Sequence, residues 1–349
     1  MDCSPWERSI SYSQNRVAYV SDSCKKKIQH VAELLLSDDA RPVDTSGLSS
    51  CAESFEKCRD TIIARTKGLA ILVHELQYLV HLSKDEEVGH GLIELCNVVV
   101  ALVECSSHAA YLAAMEMPGA RPAQPGPVER YKVSVLEQEI EQHCGVLGSL
   151  PLRELAPPLL ADVTQGVGRS IRGLTQSCTQ AGEGRRDGFA RDQFRMGLRG
   201  AACCATALLA CVKELGASPS EVTRGRCVLF SGSLLQSVRA LVGFATEPQF
   251  LGCPAHLPPE ARSVHANILE GARHVVSSCL LFIQWIRDTA LLVDNGTKIA
   301  PFREQLKTLA CAVSDRCDLL SQVLRDNDSL NIFNPWNTDP SSCQERAFL

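Results

Sequence analysis

Apolar residues recur every three or four positions along nearly the whole chain, and no stretch alternates convincingly as a strand does. Such a chain can bury its apolar surface only by laying helices side by side. In one segment Phe55, Cys58, Ile62, Leu69, Leu72, Leu76 and Leu79 keep this spacing, while Arg65 and Lys67 fall outside it, on the wet side. "TIIARTKGLAIL" (61–72) is therefore helix. It lacks the Gly-x-x-x-x-Gly-Lys-Ser/Thr spacing of a phosphate loop, and Gly68 is a tolerated weak point costing about 1 kcal/mol relative to Ala.

The same spacing predicts helices over 22–37, 53–80, 84–116, 128–147, 157–181, 188–215, 219–245, 259–292 and 300–326. Ser50 with Glu53 reads as a capping box, and Ser218, Pro219 and Glu221 read as cap, first position and box partner of a later helix. Two proline-rich stretches, "MPGARPAQPGP" (117–127) and "EPQFLGCPAHLPP" (247–259), can neither continue a helix nor donate fully to a ladder. Three helices precede them, four lie between and two follow. Two helices cannot easily enclose a core, and three are marginal. The pattern allows, without requiring, an all-α fold in which a four-helix bundle (128–255) is inserted into a five-helix bundle made of 22–127 with 256–326. Residues 1–21 and 327–349 are expected to be disordered.

Aromatics are only 5% of the residues against 45% hydrophobic overall, so the core must be built from Leu, Val, Ala, Ile and Cys. A formal charge of −5 argues against bulk affinity for nucleic acid. The distribution is uneven: residues 128–255 hold 14 Lys and Arg against 12 Asp and Glu, and 12 of those cations are Arg. Seventeen cysteines, with no C-x-x-C pair, read as small buried hydrophobes in a reducing cytosol. The N-terminus is polar where a signal peptide needs an apolar core. The longest charge-free runs, "GAACCATALLACV" among them, reach about thirteen residues where a membrane span needs roughly twenty. A soluble, cytoplasmic protein without membrane insertion is expected.

"AESFEKCRDTIIARTKGLAIL", "ECSSHAAYLAA", "PGARPAQPG", "TALLACVKE", "LVGFATEPQFLG" and "ACAVSDRCDLLSQVLR" resemble the talin rod bundles of the vinculin/talin superfamily, over about residues 24–325. The resemblance implies one rod module inserted in another. It also implies a protein that binds F-actin, forms a homodimer and so bundles filaments, as in filopodia and other cell protrusions. Nothing in the periodicity itself points to actin.

Arg191, Arg195 and Arg199 are spaced i, i+4, i+8 and line one side of a helix. Arg185 and Arg186 stand just before it, and Arg169 and Arg172 lie on the preceding helix. This basic stripe is either an actin contact or an ordinary solvated face. Helix 219–245 carries two apolar rows, Phe230, Leu234 and Leu241, and Val228, Leu235 and Val242. One row suffices for a bundle, so the first is a candidate dimer interface, or simply tighter burial. Helix 84–116 is core or a partner helix of the kind that talin rods unmask, and grooves between helices could dock amphipathic-helix peptides of adaptor proteins. An adaptor that docks such helices without binding actin is the competing function.

Enzyme-like signals are weak. Asp38, Asp39 and Asp44 suggest a magnesium motif but have no second acidic motif facing them. Glu87–His90 alone has di-iron spacing, Glu104–His108 and Glu270–His274 being one residue longer. The glycines of "GVGRSIRG" and "GEGRRDG" follow no strand. No catalytic residue, metal or cofactor is expected.

Overall fold

A hydroxyl that reaches the orphan amides of a first turn fixes where a helix begins. In the computed structural model, which describes residues 5–37, 39–43, 54–183, 188–292 and 300–326, Ser54 caps the second helix, its Oγ accepting from the Lys57 amide at 3.4 Å. The Ser50–Glu53 box lies outside the described residues. For the helix expected from 219, Ser220 replaces Ser218 as cap. Its Oγ accepts from the Thr223 amide and Thr223 Oγ1 accepts from the Ser220 amide, both at 3.1 Å. Pro219 thus precedes the helix.

Nine long helices and one short one result among the described residues: α1 (Pro5–Leu36), α2 (Phe55–His81), α3 (Asp85–Met115), α4 (Arg130–Ser149), α5 (Pro157–Glu183), α6 (Gly188–Ala217), α7 (Glu221–Ala245), α8 (Pro248–Leu251), α9 (Pro259–Leu292) and α10 (Ala300–Asp326). The all-α expectation holds. α1 carries the helix expected over 22–37 back to Pro5, and Val17, Ala18 and Ser21 are buried on the stripe that continues through Cys24, Ile28, Val31 and Leu35. The tail from 327 onward lies outside the described residues.

The proline-rich stretches are not wholly irregular. Gln124–Pro125 (β1) pairs antiparallel with Gly252–Cys253 (β2). Gly252 sits at φ 68, and a Cβ there would collide with the Gln124 carbonyl, so only glycine closes this clasp. Just before it, Phe250 is fully buried and meets Phe194 and Phe244 edge-on, with ring centroids 5.0 to 5.2 Å apart.

The helices close two units, Met1–Pro122 with Ala255–Leu349, and Ala123–Pro254. In the first, α3 packs on α1, α2 and α9; α10 packs on α2 and α9; and α1 also packs on α9. Three neighbours cover α3, and Leu92, Leu95, Val99, Leu102, Val103, Ala109, Ala110 and Ala114 are all fully buried on it. Inside this unit Thr66 Oγ1 lies 3.0 Å from Ser321 Oγ, and Arg65 donates to the Ala101 carbonyl. At its surface Arg287 meets Asp22 at 2.8 Å, joining α9 to α1.

In the second unit α4, α5, α6 and α7 pack in a ring, each on the next and α7 back on α4. Val133, Ile140, Leu147, Val167, Leu174, Phe194, Leu208 and Leu215 lie in its core. Arg224 on α7 donates to the Leu147 and Gly148 carbonyls at 3.3 and 2.9 Å and so closes the C-terminus of α4.

Leu102→Ala in the first unit and Leu208→Ala in the second should each cost about 2–5 kcal/mol, and Ser220→Ala about 1 kcal/mol, measured by denaturant unfolding.

Candidate interaction surfaces

Arginines four residues apart on a helix stack above one another. On α6 the outer face carries Arg191, Arg195 and Arg199, all exposed and on successive turns. Arg195 lies 3.8 Å from Asp192, an exposed pair that contributes little to stability. The stripe therefore presents its charge to solvent.

Arg169 and Arg172 are exposed on α5, but the structure does not add them to that stripe. With Gly182 opposite Phe194 and Gly216 opposite Leu160, they lie beside the middle of α6, beyond Arg199. Arg169 instead acts on the His143 imidazole of α4. Arg185 and Arg186 fall outside the described residues.

The apolar row expected to meet a second copy is divided by the fold. Leu234 and Leu241 are fully buried in the core of their own unit, so they are not surface residues. Phe230 is half-buried against that core. The α7 surface is carried by other residues: Val222 and Leu229, two turns apart and each about two-thirds exposed, with Val228 beside them. In the second row Val228 is exposed, Leu235 half-buried and Val242 buried. Charges flank this face, Arg226 reaching Glu214 at 2.8 Å, and Arg239 lying 3.2 Å from Glu141 and 3.8 Å from Glu137.

A polar seam between α4 and α5 gave no signal beyond the i, i+4 spacing of Glu139 and His143. Ser170, fully buried, donates to Glu139 Oε2 at 2.7 Å and to the Gly166 carbonyl at 3.1 Å. His143 lies so close over Gly166 that no Cβ fits there. Burial pushes the His143 imidazole below its ordinary range, with Arg169 acting the same way and Glu139 and Asp162 against it.

The enzyme-like signals do not assemble. Asp39 is exposed and 3.8 Å from Arg41, while Asp38 and Asp44 lie outside the described residues. Glu87 pairs with Lys84 at 3.3 Å, and Glu270 takes Arg273 at 2.6 Å and His274 at 3.2 Å. "GVGRSIRG" lies wholly within α5. Among the described residues no group of three or more His, Cys, Asp or Glu could hold a metal ion. By length and composition, with a few charges admitted, α3, α6 and α7 do reach what a membrane span requires, a point the charge-free runs understated.

No protein-family model matches the chain. Talin from Oscarella pearsei is 24% identical over 305 residues, an alignment spanning 87% of this chain and 12% of that talin. Talin-1 of Gallus gallus is also 24% identical over 305 residues, 87% of this chain and 11% of its own length. This is a talin rod-like helical protein. Talin-2 of Homo sapiens, 25% identical over 244 residues, spans 69% of this chain and 9% of itself. The talin rod-like chain thus corresponds to about a tenth of the proteins it matches.

The depressed His143 value has a definite consequence. The unfolded chain takes up a proton near pH 6.5, before the folded one does, so the seam's contribution is complete above that pH and is lost as pH falls through the lower folded value. His274 is shifted the same way by burial, so the measure is a difference. Between pH 7 and 5 the talin rod-like chain should lose more unfolding free energy than its His143→Gln variant. Parallel pH profiles would remove His143 from the account.

Proposed function

We propose that the chain is a non-enzymatic cytoskeletal protein of the cytoplasm that binds actin filaments and bundles them as a homodimer, in cell protrusions among other places. The observation that carries this is the in-line, exposed Arg191–Arg195–Arg199 stripe on a talin rod-like bundle. Three exposed arginines make a weak contact with an acidic filament, serving encounter and orientation more than affinity. Two copies held together convert that weak contact into a cross-link, because the second engagement is intramolecular. On this reading the second copy meets α7 at Phe230 and the exposed Val222, Val228 and Leu229. The direct tests are co-sedimentation with filaments and a mass measurement in solution. Bundles pelleting at low speed and a dimeric mass are expected.

A second reading, an adaptor that docks amphipathic helices without touching actin, draws on α2. There Ile71 and Tyr78, two turns apart, stand more than half exposed in line with Gly68 and Ala64. Absence of pelleting even at high speed would favour it.

Charge reversal at Arg191 and Arg195 together should weaken filament binding several-fold in low salt and leave helicity unchanged; unchanged binding would eliminate the stripe. Phe230→Asp should give a folded monomer that binds filaments without bundling them. A folded variant that remains dimeric would take Phe230 out of the interface, and an unfolded one would assign it to the core.

A further inference from the structure

Six buried cysteines of the first unit lie in pairs where two helices touch. Cys24 on α1 and Cys96 on α3 are the most closely engaged. The Cys24 Sγ lies 3.4 Å from the Leu92 carbonyl, one turn before Cys96, and the Cys96 Sγ lies 3.7 Å from the Cys24 carbonyl. Each sulfur thus rests against the backbone of the opposite helix. One layer outward, Lys27 Nζ donates to Asn97 Oδ1 at 3.2 Å. That bridge joins the residue three beyond Cys24 to the residue next to Cys96, and it puts a cation over the pair.

We propose that Cys24 and Cys96 form an oxidisable dithiol site whose disulfide ties α1 to α3. The nucleophile is Cys96, the sulfur beside which the Lys27–Asn97 bridge sits: the neighbouring Cys24 thiol and the Lys27 charge draw its thiol below the ordinary range, while Cys24 is driven well up. Hydrogen peroxide is the co-reactant. The Cys96 thiolate attacks one peroxide oxygen, the O–O bond breaks, and sulfenic acid and hydroxide result. The Cys24 sulfur then attacks the sulfenic sulfur, and the sulfenic oxygen leaves as water with the Cys24 proton. Sulfur is oxidised, peroxide is reduced, and the hydroxide takes the proton that Cys96 first gave up.

Two other pairs meet between helices. The Cys105 Sγ approaches the Cys58 carbonyl only to 3.9 Å. Cys279 and Cys317 lie on α9 and α10, and burial raises both thiols, Cys317 to about 12.

The test uses the full chain, reduced, desalted, treated with hydrogen peroxide, alkylated and digested without reductant. The expected product is a linked peptide pair joining Cys24 to Cys96, lost on treatment with dithiothreitol. The protein should remain of unchanged oligomeric mass. Closing a 72-residue separation should raise the thermal midpoint by several degrees. Cys96→Ala should abolish both effects. Lys27→Met, a change at the surface that leaves the core intact, should slow linking several-fold. Recovery of Cys24 and Cys96 as free thiols while the exposed Cys203 and Cys311 carry oxygen would overturn the site. So would a link from either residue to some other cysteine.

Discussion

The enclosure of α3 is the constraint from which the rest of the structure follows. Its apolar residues point in too many directions for one neighbour to cover: Leu92, Leu95, Val99, Leu102 and Val103 are buried together with Ala109, Ala110 and Ala114 nearer its end. Burying a large aliphatic side chain is worth about 1.5–3 kcal/mol, so an uncovered side of α3 would forfeit several such terms. α1 and α2 cover two sides and α9 the third, with α10 filling the space between α2 and α9. Since α9 and α10 follow residue 255, the first unit needs both stretches of the chain that flank the second.

That requirement explains why so much of the fold was legible. The apolar repeat of α2 is buried from Phe55 through Leu76, joined by Thr66 and Val73, while Leu79 at its end is half-buried and Arg65 keeps its guanidinium at the edge to meet the Ala101 carbonyl. What escaped the sequence is equally physical. Ser218 and Ser220 are both good caps with a suitable partner three residues on, and only the path of the chain after Ala217 selects Ser220. Nothing in a polar, charged N-terminal segment announces that Val17 and Ser21 will find α3 and α9 waiting. Two residues of strand are too short for any alternation to register.

The α7 rows show the limit most clearly. Periodicity says that two sets of apolar residues lie on different sides of a helix, not which side meets the core. The structure decides through what lies between them. Gly225, Gly232 and Gly243 have open space around them, so the side that bears them faces outward, and Leu234, Val238 and Leu241 turn inward with Cys227 and Ser231. Phe230 falls at the boundary and shares in both. A side chain so placed is held by its own unit yet still has surface to offer, and that suits it to an interface where two folded units meet. The cysteines carry a similar lesson. Spacing identifies them as small core residues, but that Cys24 should meet Cys96 is a property of how α1 crosses α3.

The electrostatic features divide by burial. Arg224 spends its donors on the end of α4, where the carbonyls would otherwise lack partners, and so acts within the fold. Arg191, Arg195 and Arg199 are exposed instead, and Arg195 meets only an exposed Asp192 at 3.8 Å. Exposed charges of this kind are screened beyond about 8 Å at physiological ionic strength, so they act only on a surface already close. A stripe of such residues is therefore a poor anchor by itself, and the proposed homodimer would supply it in duplicate. On the proposed function, the rigidity of the helical bundles matters as much as the arginines. Flexible spacing would dilute the second site, whereas packed helices keep its effective concentration high.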